Sequence, residues 1–277
     1  MEMDIAYLKS WTGRTETAED IASPAPLAGL AALLDHETLP WRAGEVPPLG
    51  HWLYFLNRAP QSQIDVDGHP KRGGFLPPIA LPRRMWAGSR LEFLAPIAIG
   101  AAITRRSTIA AVEAKSGASG EMVFLTVHHE IESAAGLAIR EEQDIVFRGA
   151  AKPGEAAKPG DPAPAADWAR TVIPDITQLF RFSALTFNAH RIHYDRDYAR
   201  DVEGYPGLVV QGPFTAILLL DHYLRRNPGV HVSRFSFRAR RPHFEGRPLA
   251  LCARGTELWS ADGEGAVGIS AQISPSP

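Results

Sequence analysis

The residues best suited to chemistry lie within ten positions, 186–195, which hold an amide, two imidazoles, a guanidinium and a phenol. His193 is the strongest candidate for moving a proton, because an unperturbed imidazole titrates near pH ~6.5. Asn188, five residues earlier, can orient a small molecule through its amide. Gly212 and Pro213 open an apolar helix, and backbone N–H groups at a helix start stabilise negative charge. Together these residues predict an acid/base site facing an anion-stabilising backbone.

Each of these residues also has a purely structural interpretation. His193 can be a buried histidine with satisfied hydrogen bonds, Gly212 can serve helix geometry alone, and His190 can have a structural role that supports the site. Tyr194 and Asp195 can simply fix the loop. His190-x-x-His193 followed by Asp195 suggests a metal site. The chain lacks a His-Glu-x-x-His arrangement and shows no second ligand cluster, so we predict no metal.

An apolar helix and antiparallel strands are the elements that must position these residues. A helix is predicted over 213–226, where apolar residues recur at helical spacing and an Asn-Pro-Gly sequence follows. Glycine-centred turns separate runs rich in β-branched and aromatic residues, which predicts antiparallel strands. These runs are 121–132, 233–237, 249–259 and 266–273. Two further helical candidates are 24–36 and 51–57.

An alanine-, proline- and glycine-rich segment divides the chain. Residues 149–166 contain the unit Ala-Lys-Pro-Gly-acidic twice, and such a segment has little apolar surface to bury. We predict a linker there, between a first half, 1–148, and a second half, 167–277, which carries the catalytic segment.

The two halves show parallel organisation. Each contains a Pro-x-x-x-Gly sequence, at 96–100 and 242–246, followed by a strand-like run. Each run leads into a glycine turn, at 116–120 and 261–265. The matching order indicates an internal duplication.

Composition restricts the class of protein. The 277 residues are 45% hydrophobic and 22% charged, with a net charge of −2, which is typical of a soluble globular protein that binds neither nucleic acid nor anionic membranes. The first eleven residues lack the apolar segment of a secretory signal, and no apolar run approaches the ~20 residues of a membrane span. We therefore predict a cytoplasmic protein. Cys252, the single cysteine, is interpreted as a small core residue.

Residues 188–193 resemble the signature of the MaoC-like hydratases, in which an Asp, followed five residues later by a His, precedes a glycine at a helix start. Asn188 stands at the Asp position here, so the Asp/His dyad of the family is not available. The runs Gly-His-Pro-Lys-Arg-Gly-Gly-Phe-Leu-Pro-Pro, 68–78, and Leu-Pro-Arg-Arg-Met-Trp-Ala-Gly, 81–88, resemble the first half of the branch called hydroxyacyl-thioester dehydratase type 2, with its mesaconyl-CoA and itaconyl-CoA hydratases.

The resemblance implies an α+β double hot-dog fold, with two tandem units that each wrap a curved antiparallel sheet around a central helix. It implies a hydro-lyase that adds water to an enoyl-CoA, favouring a branched C5 dicarboxylic substrate, itaconyl-CoA or mesaconyl-CoA, to give citramalyl-CoA. In that chemistry His193 activates water, Asn188 holds it, and the N–H of Gly212 receives developing charge.

Alternatives to this function stay open. One is a 3-hydroxyacyl-thioester dehydratase of fatty-acid synthesis, and another is a non-catalytic hot-dog protein that binds acyl-CoA. CoA is part of the substrate, so no cofactor is expected, and a homodimer is the expected assembly.

Charged residues of the first half are candidates for holding the acyl-CoA. Arg83 and Arg84 can bind a substrate carboxylate or a CoA phosphate, or can form a solvated pair at a strand end. Lys71 and Arg72 are interpreted as surface charge, and the basic run 238–241 as a charged strand edge that prevents aggregation. The residues predicted to bind substrate are Arg83, Arg84, Trp86, His190, Arg191, Tyr194 and Gln211.

Overall fold

A computed structural model describes residues 4–117, 120–150 and 160–276. The first half forms the elements α1 (Ile5–Lys9), β1 (Thr15–Ile21), α2 (Pro24–Leu33), β2 (Arg83–Phe93), β3 (Ala102–Gly117), β4 (Gly120–Ser133) and β5 (Gly136–Arg148). The second half forms β6 (Trp168–Val172), α3 (Ile176–Leu185), α4 (Gly212–Arg226), β7 (Val232–Ala239), β8 (Leu249–Arg254), β9 (Glu257–Ala261) and β10 (Val267–Pro275). Short 3-10 turns lie at Gly50–Leu53, Gln61–Gln63 and Arg191–His193.

The ten strands form one antiparallel sheet in which the two halves repeat the same order. The first half runs β1-β3-β4-β5-β2, and the second, read from its outer edge, runs β6-β8-β9-β10-β7. Strands β2 and β7 pair in the middle, with Ser89 opposite Phe237. Each strand of the first half thus has a counterpart five strands later, as an internal duplication requires.

The glycine turn at 116–120 was predicted to correspond to the turn at 261–265, but it corresponds to a different turn of the second half. The single strand expected over 249–259 is wrong, because Gly255 adopts a left-handed φ of +55° and reverses the chain between β8 and β9. The β3–β4 turn therefore matches this reversal, whereas the turn at 261–265 joins β9 to β10. Glycine reaches this backbone region without a steric cost, so an apolar run containing it need not be one strand.

Helix α4 occupies the centre of the second half. Ten consecutive residues, from Phe214 to Tyr223, are buried, and the helix contacts β8, β9, β10 and β2. Most of these buried residues are apolar, and buried Asp221 is paired with Arg170 and Arg225, so the helix predicted over 213–226 is confirmed. None of the helices in the described ranges is long and apolar enough to cross a membrane.

Other expectations have mixed outcomes. The helix expected over 24–36 is present as α2, but 51–57 contributes only the end of the short 3-10 turn Gly50–Leu53. The interpretation as a sheet edge is wrong for Arg238, because β7 lies between β2 and β10, whereas Arg240 and Arg241 follow the end of β7. Cys252 is buried against Trp259 and Val267, as expected of a core residue. Half of the predicted linker, residues 151–159, lies outside the described residues.

Candidate active site

The catalytic segment follows α3, a helix that was not predicted although its start carries a recognisable signal. Asp175 accepts the N–H of Gln178 at 2.8 Å, and the side chain of Gln178 accepts the N–H of Asp175 at 3.2 Å. This capping box fixes where α3 begins. At the other end Phe187 turns into the left-handed region at φ +48°, and the N–H of Asn188 donates to the carbonyl of Ser183 at 2.8 Å. The helix end thus sets the position of Asn188.

His193 lies at the end of the 3-10 turn Arg191–His193 and is buried, with 7% of its surface exposed. Its Nδ1 lies 2.7 Å from the carbonyl oxygen of Val209. The N–H of Val209 in turn donates to the carbonyl of Ile192 at 2.9 Å, which ties the turn to the chain leading into α4. Burial, together with the neighbouring imidazoles of His190 and His69, lowers the pKa of His193 to about 3. His193 is therefore a neutral base at ordinary pH, and the unperturbed value expected from the sequence is wrong.

Gly212 and Pro213 form the first turn of α4, as predicted. The first N–H groups of an α-helix have no partner within the helix, so those of Gly212 and Phe214 are free to receive an anionic oxygen. The backbone of Gly212 is not left-handed, and a Cβ there would meet only the carbonyl oxygen of Trp86, at 3.8 Å. Helix geometry therefore does not by itself require a glycine at this position.

A loop of the first half docks directly on the catalytic segment. The carbonyl of Asp67 accepts the N–H of Arg191 at 2.9 Å, and the carbonyl of Val66 accepts Nη1 of Arg191 at 3.1 Å. Gly68 adopts φ +90°, and a Cβ there would lie 1.8 Å from the carbonyl oxygen of Ala189. Only glycine permits this approach, so the first half completes the site of the second.

The docked loop places a third imidazole beside the two of the catalytic segment. The ring of His69 lies 4.1 Å from that of His190, and the ring of His190 lies 5.4 Å from that of His193, measured between centroids. The carboxylate of Asp67 makes two hydrogen bonds with His69, one to its backbone N–H at 2.8 Å and one to its ring Nδ1 at 3.1 Å. His190 is buried, and its Nε2 lies 3.9 Å from Glu203, beyond hydrogen-bond distance.

Three of these side chains also bear on metal binding. Asp67, His69 and His190 each offer a ligand atom, and these atoms lie within 4.8 Å of one another. The expectation that no second ligand cluster exists is therefore wrong, because this cluster joins the two halves. Two features weigh against a cation. Asp67 and His69 already bond each other, and the guanidinium of Arg84 is close enough to lower the pKa of His69.

A cavity of about 850 Å³ runs from the catalytic segment along the first half. Asn188, Tyr194 and Pro213 line one end, and Trp52 and Glu141 line part of the wall supplied by the first half. His69 and Arg84 also line it. Of the predicted catalytic residues Asn188 lines the cavity, whereas His193 and Gly212 lie next to the lining residues Tyr194 and Pro213 without lining it themselves.

A second cavity, of about 720 Å³, lies on the outer face of the sheet. Several of its charged side chains pair with one another, as in Arg90–Glu142 at 2.6 Å and Arg234–Glu92 at 2.8 Å. None of the residues of the catalytic segment lines it. The first cavity is therefore the candidate active site.

The adjacent arginines at the start of β2 have different environments, because neighbouring side chains of a strand point to opposite faces. Arg83 pairs with Glu203 at 3.0 Å and lies over the ring of Tyr205. Arg84 lines the cavity and has neither an ion-pair nor a hydrogen-bond partner among the described residues. Burial and the positive charge of Arg72 lower the pKa of Arg84 to about 10. Arg84, and not Arg83, is thus available to an anion in the cavity.

The remaining residues predicted to bind substrate fall into two groups. Tyr194 and Trp86 line the cavity, and the indole of Trp86 donates to Ser89 at 2.9 Å. Gln211 is buried and holds α3, donating to the carbonyl of Leu179 and to Ser183, each at 3.0 Å. These contacts give Gln211 a structural role.

Two basic residues beside the site also have structural roles. Arg191 pairs with Asp195 at 2.7 Å and lies over the ring of Tyr198, so these groups fix the loop. Arg72, expected at the surface, donates to the carbonyl groups of Leu81 and Pro82 and lies over the ring of Phe147. It therefore anchors the Gly/Pro loop to the sheet.

Comparison with known proteins agrees with this geometry. Residues 49–245 match the family described as hydroxyacyl-thioester dehydratase type 2. A mesaconyl-C(4)-CoA hydratase of Chloroflexus aurantiacus is 47% identical over 277 residues, covering 98% of this chain and 99% of that protein.

Solved structures show the same architecture at low identity. A MaoC-like dehydratase from Phytophthora capsici superposes with a TM-score of 0.68 at 14% identity, covering 99% of this chain and all (100%) of the other. A Mycobacterium tuberculosis protein described as a double hot-dog fold superposes with a TM-score of 0.58 at 13% identity, covering 95% of this chain and 96% of the other. The chain therefore belongs to the hydroxyacyl-thioester dehydratase type 2 family and is a hydratase or dehydratase with the double hot-dog fold.

Proposed function

We propose that the protein adds water across the double bond of a branched C5 dicarboxylic enoyl-CoA, mesaconyl-C4-CoA or itaconyl-CoA, to give citramalyl-CoA. The relative from Chloroflexus aurantiacus, named as a mesaconyl-C(4)-CoA hydratase, supports the reaction type and the acyl group. The observation that carries the dicarboxylic assignment is Arg84, an unpaired guanidinium on the wall of the active-site cavity.

The site residues suit each step of such a hydration. In mesaconyl-C4-CoA, water attacks the β-carbon while Nε2 of His193 takes one of its protons, and the electron pair of the conjugated double bond moves toward the thioester oxygen. The N–H groups at the first turn of α4, Gly212 and Phe214, receive that charge. The protonated His193 then gives its proton to the α-carbon, so one hydroxyl and one hydrogen have added and the base is regenerated.

The position of the free carboxylate explains why Arg84 matters. In mesaconyl-C4-CoA the free carboxylate is attached to the β-carbon, the atom that accepts the hydroxyl. A cation that recognises it must lie beside the reacting end of the cavity. Arg84 meets this requirement, because it lines the same cavity as Asn188 and acts electrostatically on His69. Arg84 is half-buried and makes no direct ion pair among the described residues, although the charge of Asp67 acts on it, so a bound carboxylate would give it a direct partner.

An acyl-CoA panel tests the reaction. Purified protein should remove the absorbance of the conjugated thioester of mesaconyl-C4-CoA faster than that of crotonyl-CoA, and itaconyl-CoA should give citramalyl-CoA on product analysis. Faster hydration of crotonyl-CoA would instead favour the 3-hydroxyacyl-thioester dehydratase of fatty-acid synthesis. Binding of all three esters without turnover would identify a non-catalytic acyl-CoA-binding protein.

Two neighbouring substitutions test the carboxylate assignment. Arg84→Gln should raise KM for mesaconyl-C4-CoA by ~10-fold or more while changing that for crotonyl-CoA little, because only the dicarboxylic substrate loses a charged partner. Arg83→Gln is the matched control, because it breaks the pair with Glu203 on the other face of β2. It should lower stability and affect both substrates alike. Equal effects of Arg84→Gln on both substrates would contradict the assignment.

Three further expectations stay predictions. They are a cytoplasmic location, a homodimeric assembly and a reaction that needs no metal or other cofactor. Light scattering after size-exclusion chromatography measures the assembly, and elemental analysis of the purified protein measures bound metal.

A further inference from the structure

A nucleophilic water in this site needs two hydrogen-bond acceptors. One lone pair of its oxygen must point at the β-carbon, and the two O–H bonds are then held by acceptors that fix this direction. His193 provides one, because its Nδ1–H is bound to Val209 and its Nε2 carries the lone pair. The second acceptor has to come from another side chain close to the end of the cavity that Asn188 and Tyr194 line.

Asn188 is poorly arranged for that task, although it occupies the position expected to hold water. Its Oδ1 accepts the N–H of His190 at 3.0 Å. The other group of the amide is Nδ2, which can only donate. Asn188 can thus donate to the water oxygen, but its acceptor is already committed to the turn.

His69 has the required chemistry. The carboxylate of Asp67 accepts the backbone N–H of His69 at 2.8 Å and also binds its Nδ1 at 3.1 Å, so Nδ1 faces a hydrogen-bond acceptor. The ring proton of His69 is therefore on Nδ1, and Nε2 carries a lone pair. His69 faces the cavity that Asn188 and Pro213 also line.

The placement of His69 is built into the backbone. The turn that carries it is closed by the N–H of Gly68 on the carbonyl of Asp65, at 3.0 Å, and by the N–H of Asp65 on the carbonyl of His69, at 2.7 Å. At Gly68 this turn packs directly against the backbone of Ala189, in the catalytic segment. A surface side chain would need neither a ring oriented by a carboxylate nor a backbone contact that only glycine at position 68 permits. Both features indicate that the position of His69 matters to the site.

We propose that His69, oriented by Asp67, is the second acceptor for the attacking water, so that residues from both halves of the chain share the reacting molecule. His193 removes one proton of the water, while His69 accepts a hydrogen bond from the second O–H group. This hydrogen bond persists until the product leaves. The net reaction is unchanged, because no proton is transferred to His69. The inference rests on the proposed hydration reaction.

Three variants of the purified full-length protein test this role. His69→Ala should lower kcat for mesaconyl-C4-CoA by ~100-fold while KM changes by less than about threefold, because the loss concerns water and not the acyl-CoA. His69→Gln keeps an acceptor at the end of its side chain and should recover part of that loss. His128→Ala, a histidine on the outer face of the sheet, is the matched control and should behave as wild type.

Asp67→Asn tests the orientation of the ring. Its amide turns a donor toward Nδ1, which moves the ring proton to Nε2 and removes the acceptor. This variant should lose ~10- to 100-fold in kcat. The double variant Asp67→Asn/His69→Ala should be no worse than His69→Ala alone, because Asp67 acts through His69. Thermal unfolding and circular dichroism show whether each variant is folded.

The possible outcomes separate the inference from the function beneath it. A wild-type protein that hydrates none of the acyl-CoA esters would overturn the proposed function, and this inference with it. An active wild type with a folded His69→Ala of unchanged kcat would overturn the inference alone. A metal bound at one ion per chain, whose removal abolishes activity, would assign His69 to a metal site and also overturn it.

Discussion

Nδ1 of His193 lies 2.7 Å from the carbonyl oxygen of Val209. A carbonyl can only accept, so Nδ1 carries the ring proton and Nε2 keeps its lone pair. Because the acceptor is a backbone atom, a change of side chain at Val209 does not remove it. The backbone therefore sets the tautomer of His193, and burial keeps the ring neutral.

Replacement of His193 should abolish turnover without unfolding the protein. His193→Ala should lower kcat for hydration of mesaconyl-C4-CoA by ~100-fold or more, because general base catalysis is lost. The ring contributes one hydrogen bond to a backbone segment that Ile192 also holds, so the fold should persist. Loss of thioester absorbance measures the rate, and circular dichroism measures folding. A folded His193→Ala with the wild-type rate would show that another residue is the base.

Gly212→Ala should separate helix geometry from catalysis. The added methyl group has room, since the nearest atom outside the neighbouring residues is the carbonyl oxygen of Trp86 at 3.8 Å. Stability should change by less than about 1 kcal/mol. The methyl group would, however, lie beside the N–H groups that receive the thioester oxygen, so kcat should fall by ~10- to 100-fold. Gly74→Ala, at an open position of the first half, is the control. Unchanged kcat in Gly212→Ala would leave the glycine without a catalytic role.

Local patterns predicted one side of the site well. The start of α4 at Gly212 could be read from a glycine, a proline and an apolar stripe, because these features act within one helix. The spacing of Asn188 and His193 predicted the catalytic segment, of which the structure places Asn188 on the cavity wall and His193 buried nearby. Alternation along β2 predicts that Arg83 and Arg84 lie on opposite faces, but only the folded chain shows which face lines the cavity.

The contribution of the first half could not be predicted in the same way. Asp67 and His69 lie far from His190 in the sequence, and their contact depends on how the two halves dock. The run beginning at Gly68 supported the family resemblance, but sequence assigned no chemistry to it. The lowered pKa of His193 was equally hidden, because burial is a property of the folded chain.

Gly68→Ala should be strongly destabilising. Its Cβ would lie 1.8 Å from the carbonyl oxygen of Ala189, a backbone atom that cannot move without the catalytic segment. The expected loss is about 2–4 kcal/mol of unfolding free energy, measured by urea denaturation, together with lower kcat as the loop leaves the site. Gly44→Ala is a matched control, because Gly44 is also left-handed, at φ +77°, but has open space around it. It should lose only about 1 kcal/mol. Equal losses in the two variants would mean that the loop does not dock on Ala189.

Stability should fall as the solution is acidified below neutrality. Burial lowers the pKa of His69 and His193 to about 3 and that of His243 to about 4, whereas these imidazoles titrate near ~6.5 in the unfolded chain. Between these values the unfolded chain binds more protons than the folded one. Acidification therefore favours unfolding, by about 2 kcal/mol for each such imidazole between pH ~7 and ~5.

Urea denaturation midpoints at several pH values measure this effect, and a variant assigns it. The ring of His243 makes a hydrogen bond with Ser260 at 2.7 Å, and only its backbone carbonyl contacts the chain before α4, accepting the N–H of Val210 at 2.9 Å. His243→Asn therefore removes one titrating group and leaves that backbone contact in place. Its midpoint should depend less steeply on pH than that of the wild type, because one fewer proton separates the unfolded and folded states. The rate per folded molecule should stay level from pH ~8 to ~6, since His193 is neutral throughout that range. A wild-type midpoint that does not change between pH ~7 and ~5 would contradict the buried neutral state of these histidines.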